Sequence, residues 1–324
     1  MARFLHKMRR RRIKADFHLH SHEDPEDAHM ISYSARDLVD ALAEQGFSAF
    51  SLTLHDHMLD DDEMSGLESY AKERGLISIP GIEKTIEGSH VLIYNMKKED
   101  AESISTFPDL ESMIGRYKES EKASSLFVVA AHPFFPFFKY AIGKDYDKWR
   151  HLFDGLEYSS LYPSMPFNKD LLNFNLRAAW EAKMHKKVMI GGTDCHMLDQ
   201  LGKTYTWVMV SRKQYKVLKG RYREKEQGFR GNLSLQEKPE ERPGGLQGPQ
   251  EASYKNFFQR YVSKASPSEY ARLRYVLVRQ MKRGNVKVRT KARNPITYFA
   301  TLAYFIFMDS TPARWLNRLT SPSR

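Results

Sequence analysis

The run Asp16-Phe17-His18-Leu19-His20-Ser21-His22 sets two imidazoles two residues apart in a short apolar-alternating stretch. In an extended strand such side chains share a face. His18 and His20 then project together, about 6–7 Å apart along the chain, and can grip one divalent cation from one side. One HxH pair is a weak signal, and what strengthens it lies downstream. His55-Asp56-His57, Gly81-Ile82-Glu83, His90, His132-Pro133 and Thr193-Asp194-Cys195-His196 follow in order. Most of these clusters sit at the carboxyl ends of predicted strands. In a parallel α/β barrel those ends converge on one face. So many His, Asp and Glu side chains aimed at one basin need partners, and a multi-cation centre is the simplest way to supply them.

The elements that must position these groups alternate between strand and helix. Strands are predicted at Ala15–His18, Ala49–Thr53, Leu76–Pro80, Val91–Asn95, Phe127–Ala131, Gly155–Tyr158, Val188–Gly191 and Thr206–Ser211. Helices are predicted at Ser34–Gln45, Asp61–Arg74, Asp109–Lys122 and Phe167–Met184, the first two stopped by Gly46 and Gly75. Such alternation means a mostly parallel sheet, open or closed. No G-x-G-x-x-G follows the first strand, which counts against dinucleotide binding. Residues 226–252, rich in Gly, Pro and polar side chains, read as a flexible linker. Beyond it, Ser266-Pro267-Ser268-Glu269 is a capping box opening a helix to about Lys282, ended by Gly284. Ile296–Met308 is an apolar helical stretch too short to span a bilayer.

The series DFHLHSH, LHDH, PGIEKTIEGSH, AAHP and GGTDCH resembles the PHP family, the polymerase and histidinol phosphatase domain, over about residues 14–210. The resemblance implies an α/β fold, a distorted (β/α)7 TIM-like barrel of PHP type, with a trinuclear metal centre that hydrolyses phosphoesters. It implies a basic leader at 1–14, the barrel at 15–225, the linker at 226–252 and a small basic helical C-terminal appendage at 253–324. Residue by residue, it makes His18 and His20 the first ligand pair, with Asp194 on the same metal. Glu83 becomes the bridging carboxylate, His90 and His132 hold the second metal with it, and His57 and His196 serve the third. The family's usual ligand after the HxH pair has no plain match in HEDPEDAHMIS. His29 sits best, with Asp24 and His22 as alternatives. His57, Glu83, Asp194 and His196 are the groups expected nearest the chemistry. The implied cofactors are two or three divalent ions, Mn, Zn, Fe or Mg.

The chemistry follows from charge. Phosphate oxygens repel a nucleophile; divalent cations neutralise them and lower the pKa of a bound water. A protonated histidine can stabilise the departing alkoxide. Phosphate contacts are expected from His55, Lys84 and Lys203, with Arg36, Lys139 and Lys169 behind them. Asp16 reads equally as a support for a ligand imidazole or as a turn cap, and Asp56 reads similarly. Cys195 reads as a buried filler, and His6, His151 and His185 as ordinary histidines. Phe134, Phe135, Phe137 and Phe138 read as a substrate wall or as core.

The 324 residues carry a net charge of +11, unevenly placed. Residues 1–14 hold seven Lys/Arg and no acid; residues 15–210 hold 19 against 32 Asp/Glu; residues 211–324 hold 25 against 8. An acidic body suits cations, and basic ends suit an anionic partner, either nucleic acid or an acidic membrane surface. One cysteine excludes an internal disulfide framework. The basic start lacks the apolar stretch of a secretory signal. A cytoplasmic protein is expected, with peripheral membrane attachment as a second reading. The leading activity is hydrolysis of a phosphomonoester of a small metabolite or nucleotide. Alternatives are 3′-5′ exonuclease-like cleavage of short nucleic acid, an amidohydrolase-like hydrolase, and a non-catalytic adaptor with a vestigial barrel.

Overall fold

The computed structural model describes residues 10–119, 125–135, 140–159, 174–211 and 257–290. The linker, the apolar stretch 296–308, His6, Phe137, Phe138, Lys139 and Lys169 lie outside the described residues.

Among the described residues, ten strands form two mixed five-stranded sheets. The first has the order β10-β9-β1-β2-β3, built from β1 (Arg10–Asp16), β2 (Ala49–Phe50), β3 (Ile77–Ser78), β9 (Thr204–Ser211) and β10 (Val286–Thr290). The second runs β4-β5-β6-β7-β8, from β4 (Gly81–Ile86), β5 (Ser89–Tyr94), β6 (Phe127–Ala130), β7 (Gly155–Ser159) and β8 (Val188–Gly192). The helices are α1 (Ala35–Glu44), α2 (Asp61–Glu73), α3 (Lys98–Glu102), α4 (Phe107–Lys118), α5 (Tyr146–Trp149), α6 (Phe174–Met184), α7 (Phe257–Ser263) and α8 (Pro267–Lys282).

The expected closed (β/α)7 barrel with a C-terminal appendage is not formed. Three features account for this. Glu87 and Gly88 both take positive φ, 48° and 78°, the geometry of a two-residue hairpin turn. It folds β5 back antiparallel on β4, whereas a parallel barrel joins successive strands by longer crossovers. β9 also runs antiparallel, against both β1 and β10. Finally, the outer edge of β3 is bonded by α8. The Ser78 N–H donates to the Tyr270 hydroxyl at 2.8 Å, and Arg274 Nε donates to the Ser78 carbonyl at 2.9 Å. An edge satisfied by side chains has no need of another strand. The sheets meet through isolated bridges at Leu19–Cys195 and His55–Glu83.

The termini of the helices follow sequence chemistry. Ser34, Asp60, Thr106 and Ser266 each accept from the third helical N–H in a capping box. α1 buries Leu38, Val39 and Leu42, each worth about 1.5–3 kcal/mol by apolar burial. One core cluster joins residues of both sheets, such as Ile13, Ala49, Leu92, Val129 and Ile190, with Tyr270, Leu273, Leu277 and Met281 of α8. β1, inside the expected leader, and α7, α8 and β10, inside the expected appendage, are therefore integral to the sheets and their core. Among the described residues no helix is long and apolar enough to cross a membrane.

Candidate metal centre

The chain just past β1 is fixed from both sides. Asp16 accepts from the His18 N–H, the Thr193 N–H and, at 2.6 Å, the Thr193 hydroxyl. It is thus a turn cap that ties the HxH segment to the turn after β8. Burial raises the Asp16 pKa to about 7 against the pull of these bonds. Thr53 accepts from the Leu19 N–H and donates to its carbonyl. The Asp194 N–H donates to the His18 carbonyl at 2.9 Å. His132 and Asp194 hold positive φ, 26° and 49°, a strained region for residues with a Cβ that is often found at functional sites.

These constraints converge on Glu83, which is fully buried. Its Oε2 lies 2.9 Å from His18 Nε2 and 3.2 Å from both His20 Nε2 and His55 Nε2. Its Oε1 lies 2.8 Å from His90 Nδ1 and 3.0 Å from His132 Nε2. Asp194 Oδ1 stands 3.2 Å from His20 Nε2 and 3.5 Å from His18 Nε2. The far nitrogens are held from behind. His18 Nδ1–H donates to Glu157 Oε1 at 2.8 Å, and His20 Nδ1–H to Asp24 Oδ2 at 2.9 Å. Asp24 also accepts from the His55 backbone N–H and Nδ1. Glu157 Oε2 accepts from the His132 N–H. Gly192 makes room, because a Cβ there would stand 2.5 Å from His18 Cβ and 2.6 Å from Glu157 Oε1.

Burial alone would raise the Glu83 and Asp194 pKa values; the neighbouring imidazoles outweigh it and hold both well below the carboxylate range. Burial would lower those of His18 and His20, but the surrounding carboxylates push both well above the usual histidine value. His90, deeply buried, is lowered.

Among the described residues, three groups of donor atoms around Glu83, each within 4.8 Å of one another, suit a metal ion: His18, His20, Glu83 and Asp194; His20, Asp24 and His55; His55, Glu83 and His90. They overlap through His20, His55 and Glu83. His20 Nε2 is buried and makes no hydrogen bond of good geometry although it faces two carboxylates. An imidazole nitrogen and two carboxylate oxygens facing one another in this way suit a shared cation. The donors therefore fit bound metal.

Several expected residues sit elsewhere. His57 is half-exposed beside Glu102, 3.3 Å away, and joins none of these groups. The inward place belongs to His55, because Asp24 captures both the backbone and ring N–H of His55. His29 is exposed, and His22 is exposed beside Glu23; of the alternatives after the HxH pair, Asp24 alone is buried in the centre. His196 lies at the rim, its Nε2 donating to Asp27 Oδ2 at 2.7 Å. Lys84 pairs with Asp56 at 2.9 Å; strand alternation turns it away from Glu83. Lys203 pairs with Asp199. Phe134 and Phe135 are buried, with Phe134 packed against Tyr146 in the core. Burial pushes the Cys195 thiol to about 11, as befits a filler. Sequence reasoning missed Glu157 and Asp27 outright.

No family model matches the chain, and no curated protein matches it. Solved structures do. PsfC from Pseudomonas syringae PB-5123 is 13% identical, covers 93% of this chain and 100% of its own, and has a TM-score of 0.44. An amidohydrolase from Chromobacterium violaceum is 14% identical over 56% of this chain and 87% of its own, TM-score 0.37. A protein described as a metal-dependent phosphoesterase from Bifidobacterium adolescentis is 15% identical over the same shares, TM-score 0.38. None of these likenesses assigns a role to a residue here.

Proposed function

We propose that the chain is a metal-dependent phosphoesterase of the PHP kind, acting on a phosphomonoester of a small metabolite or nucleotide. The observation that supports it is Glu83, one buried carboxylate within 3.2 Å of five imidazole nitrogens. A carboxylate can bridge cations and imidazoles suit zinc, iron or manganese. His18, His20, Glu83 and Asp194 would hold one ion; His55, Glu83 and His90 a second; Asp24, with His20 or His55, would serve a third. Bound there, such ions would neutralise phosphate oxygens and lower the pKa of a coordinated water.

The chain's own groups do the rest. Glu157 and Asp24 accept hydrogen bonds from the Nδ1–H groups of His18 and His20, which fixes each ring and leaves Nε2 facing Glu83. Asp16 and Thr193 hold the HxH segment against the Asp194 turn. His196, at the rim and bonded to Asp27, would protonate a departing alkoxide. An acid followed two residues on by a histidine also favours phosphoester over amide hydrolysis among the readings of the HxH start.

Cleavage of short nucleic acid is the second reading. A segment of each basic end, β1 and β10, pairs with β9, so Arg12 of β1 and Lys287 and Arg289 of β10 share one sheet. A non-catalytic adaptor gives no account of so many buried titratable groups.

The test is elemental analysis of the purified full chain together with a panel of phosphomonoesters and short oligonucleotides. We expect two or three divalent ions per chain and phosphate release from monoesters that Glu83→Gln abolishes. A chain that takes up no divalent ion, or that releases nothing with Mn, Zn, Fe and Mg supplied, would end the reading.

A further inference from the structure

A second cluster of ligand-type side chains lies on other elements. α5 and α6 abut in the core formed by Tyr146, Ala178 and Ala182. At their solvent edge stand Asp147 of α5, Glu181 of α6 and His185, one turn beyond Glu181. The His185 N–H still donates to the Glu181 carbonyl, so the turn continues and the two side chains share a face. One donor atom from each of the three lies within 4.8 Å of the others.

Two buried polar atoms at this spot lack hydrogen bonds. Glu181 is only 7% exposed, and its Oε2 accepts none. His185 Nε2 is 3.3 Å away but not in bonding geometry. The hydroxyl of Tyr146, itself 1% exposed, also lacks a partner. A buried carboxylate oxygen without a hydrogen bond is costly; a cation bound between it and the His185 ring removes that cost. The Asp147 contact with Arg150, 3.3 Å and well exposed, is a weak competitor.

We propose that Asp147, Glu181 and His185 form a second, structural cation site that takes zinc or a zinc-like transition ion and ties α5 to the end of α6. One imidazole beside two carboxylates favours zinc over magnesium or calcium, which prefer all-oxygen shells. Three ligands at a solvent edge leave the remaining position to water. Tyr146, beside the cluster, offers that water a hydroxyl partner. The site shares no residue with the Glu83 centre and stands whether or not that centre is catalytic.

Zinc titration of the chelator-stripped full chain tests it by calorimetry, on wild type, His185→Ala and Glu181→Gln. Wild type should bind one more zinc per chain than either variant, or bind its weakest zinc at least tenfold more tightly. Zinc should also raise the melting temperature of wild type more than that of the variants. Equal stoichiometry, affinity and thermal shift in all three would overturn the proposal. Should a variant fail to fold, the ring resonances of His185 in the unaltered protein decide: a shift at the last equivalent of zinc supports the site, and none removes it.

Discussion

Donors carried on loops reach the centre by a different route from donors inside strands. His18, His20, Asp24 and His55 lie in loop beyond the ends of β1 and β2, and His132 and Asp194 in turns just past β6 and β8. Hydrogen bonds aim them: Asp24 to His20 and His55, Thr53 to Leu19. Glu83, His90 and Glu157 lie inside β4, β5 and β7. There the pairing register aims them, with Glu83 opposite Leu92 and Glu157 opposite Ile190. A slip of one residue would turn each to the other face. The loop half can be retuned by single substitutions; the strand half is bound to the sheet.

Predictions that break or sharpen this contrast run from large to small. Glu83→Gln removes the carboxylate both halves share, and activity should fall about a thousandfold or more, with metal content reduced by at least one ion. Glu157→Gln leaves the strand intact but weakens the hold on His18. Metal affinity, followed by calorimetry, should drop about 10–100-fold. Acidification comes next. In the ion-free chain the surrounding carboxylates raise the His18 and His20 pKa values, so these rings hold their protons more tightly than a free imidazole. Metal binding must displace them, and affinity should weaken by about tenfold per pH unit for each proton released as pH falls; a flat profile would contradict the assignment. Gly192→Ala inserts a methyl between His18 and Glu157. Denaturant melts should show a loss of about 1–3 kcal/mol. Last, His57→Ala should change activity less than about twofold, as befits a surface substitution, whereas His55→Ala should cut it sharply.

How much was legible in the sequence follows the same division. The Asp194 turn and the helix caps at Ser34 and Ser266 are local patterns, and the structure keeps them; His18 and His20 do face one site, but from loop just past β1 and not from within a strand. Glu83 and His90 stand out among the polar clusters near the predicted strands, and the resemblance adds their roles. Glu157 was not, because Gly155-Leu156-Glu157-Tyr158 reads as an ordinary strand and the need for its carboxylate appears only when β7 meets His18. The choice between His55 and His57 was likewise set by Asp24, 31 residues from His55. The barrel failed as an expectation at Glu87-Gly88, a turn without the usual Asn or Asp. β10 alternates plainly, Val286-Lys287-Val288-Arg289-Thr290, but its basic residues were read as an appendage.

β1 finds only two partners in β2 but six in β9, about 190 residues later, and β9 in turn pairs with β10. During synthesis the first strand to leave the ribosome must wait for nearly the last described one. Contacts of such range form slowly and leave apolar edges open meanwhile. Nascent chains released before residue 290 should be the ones that chaperones hold.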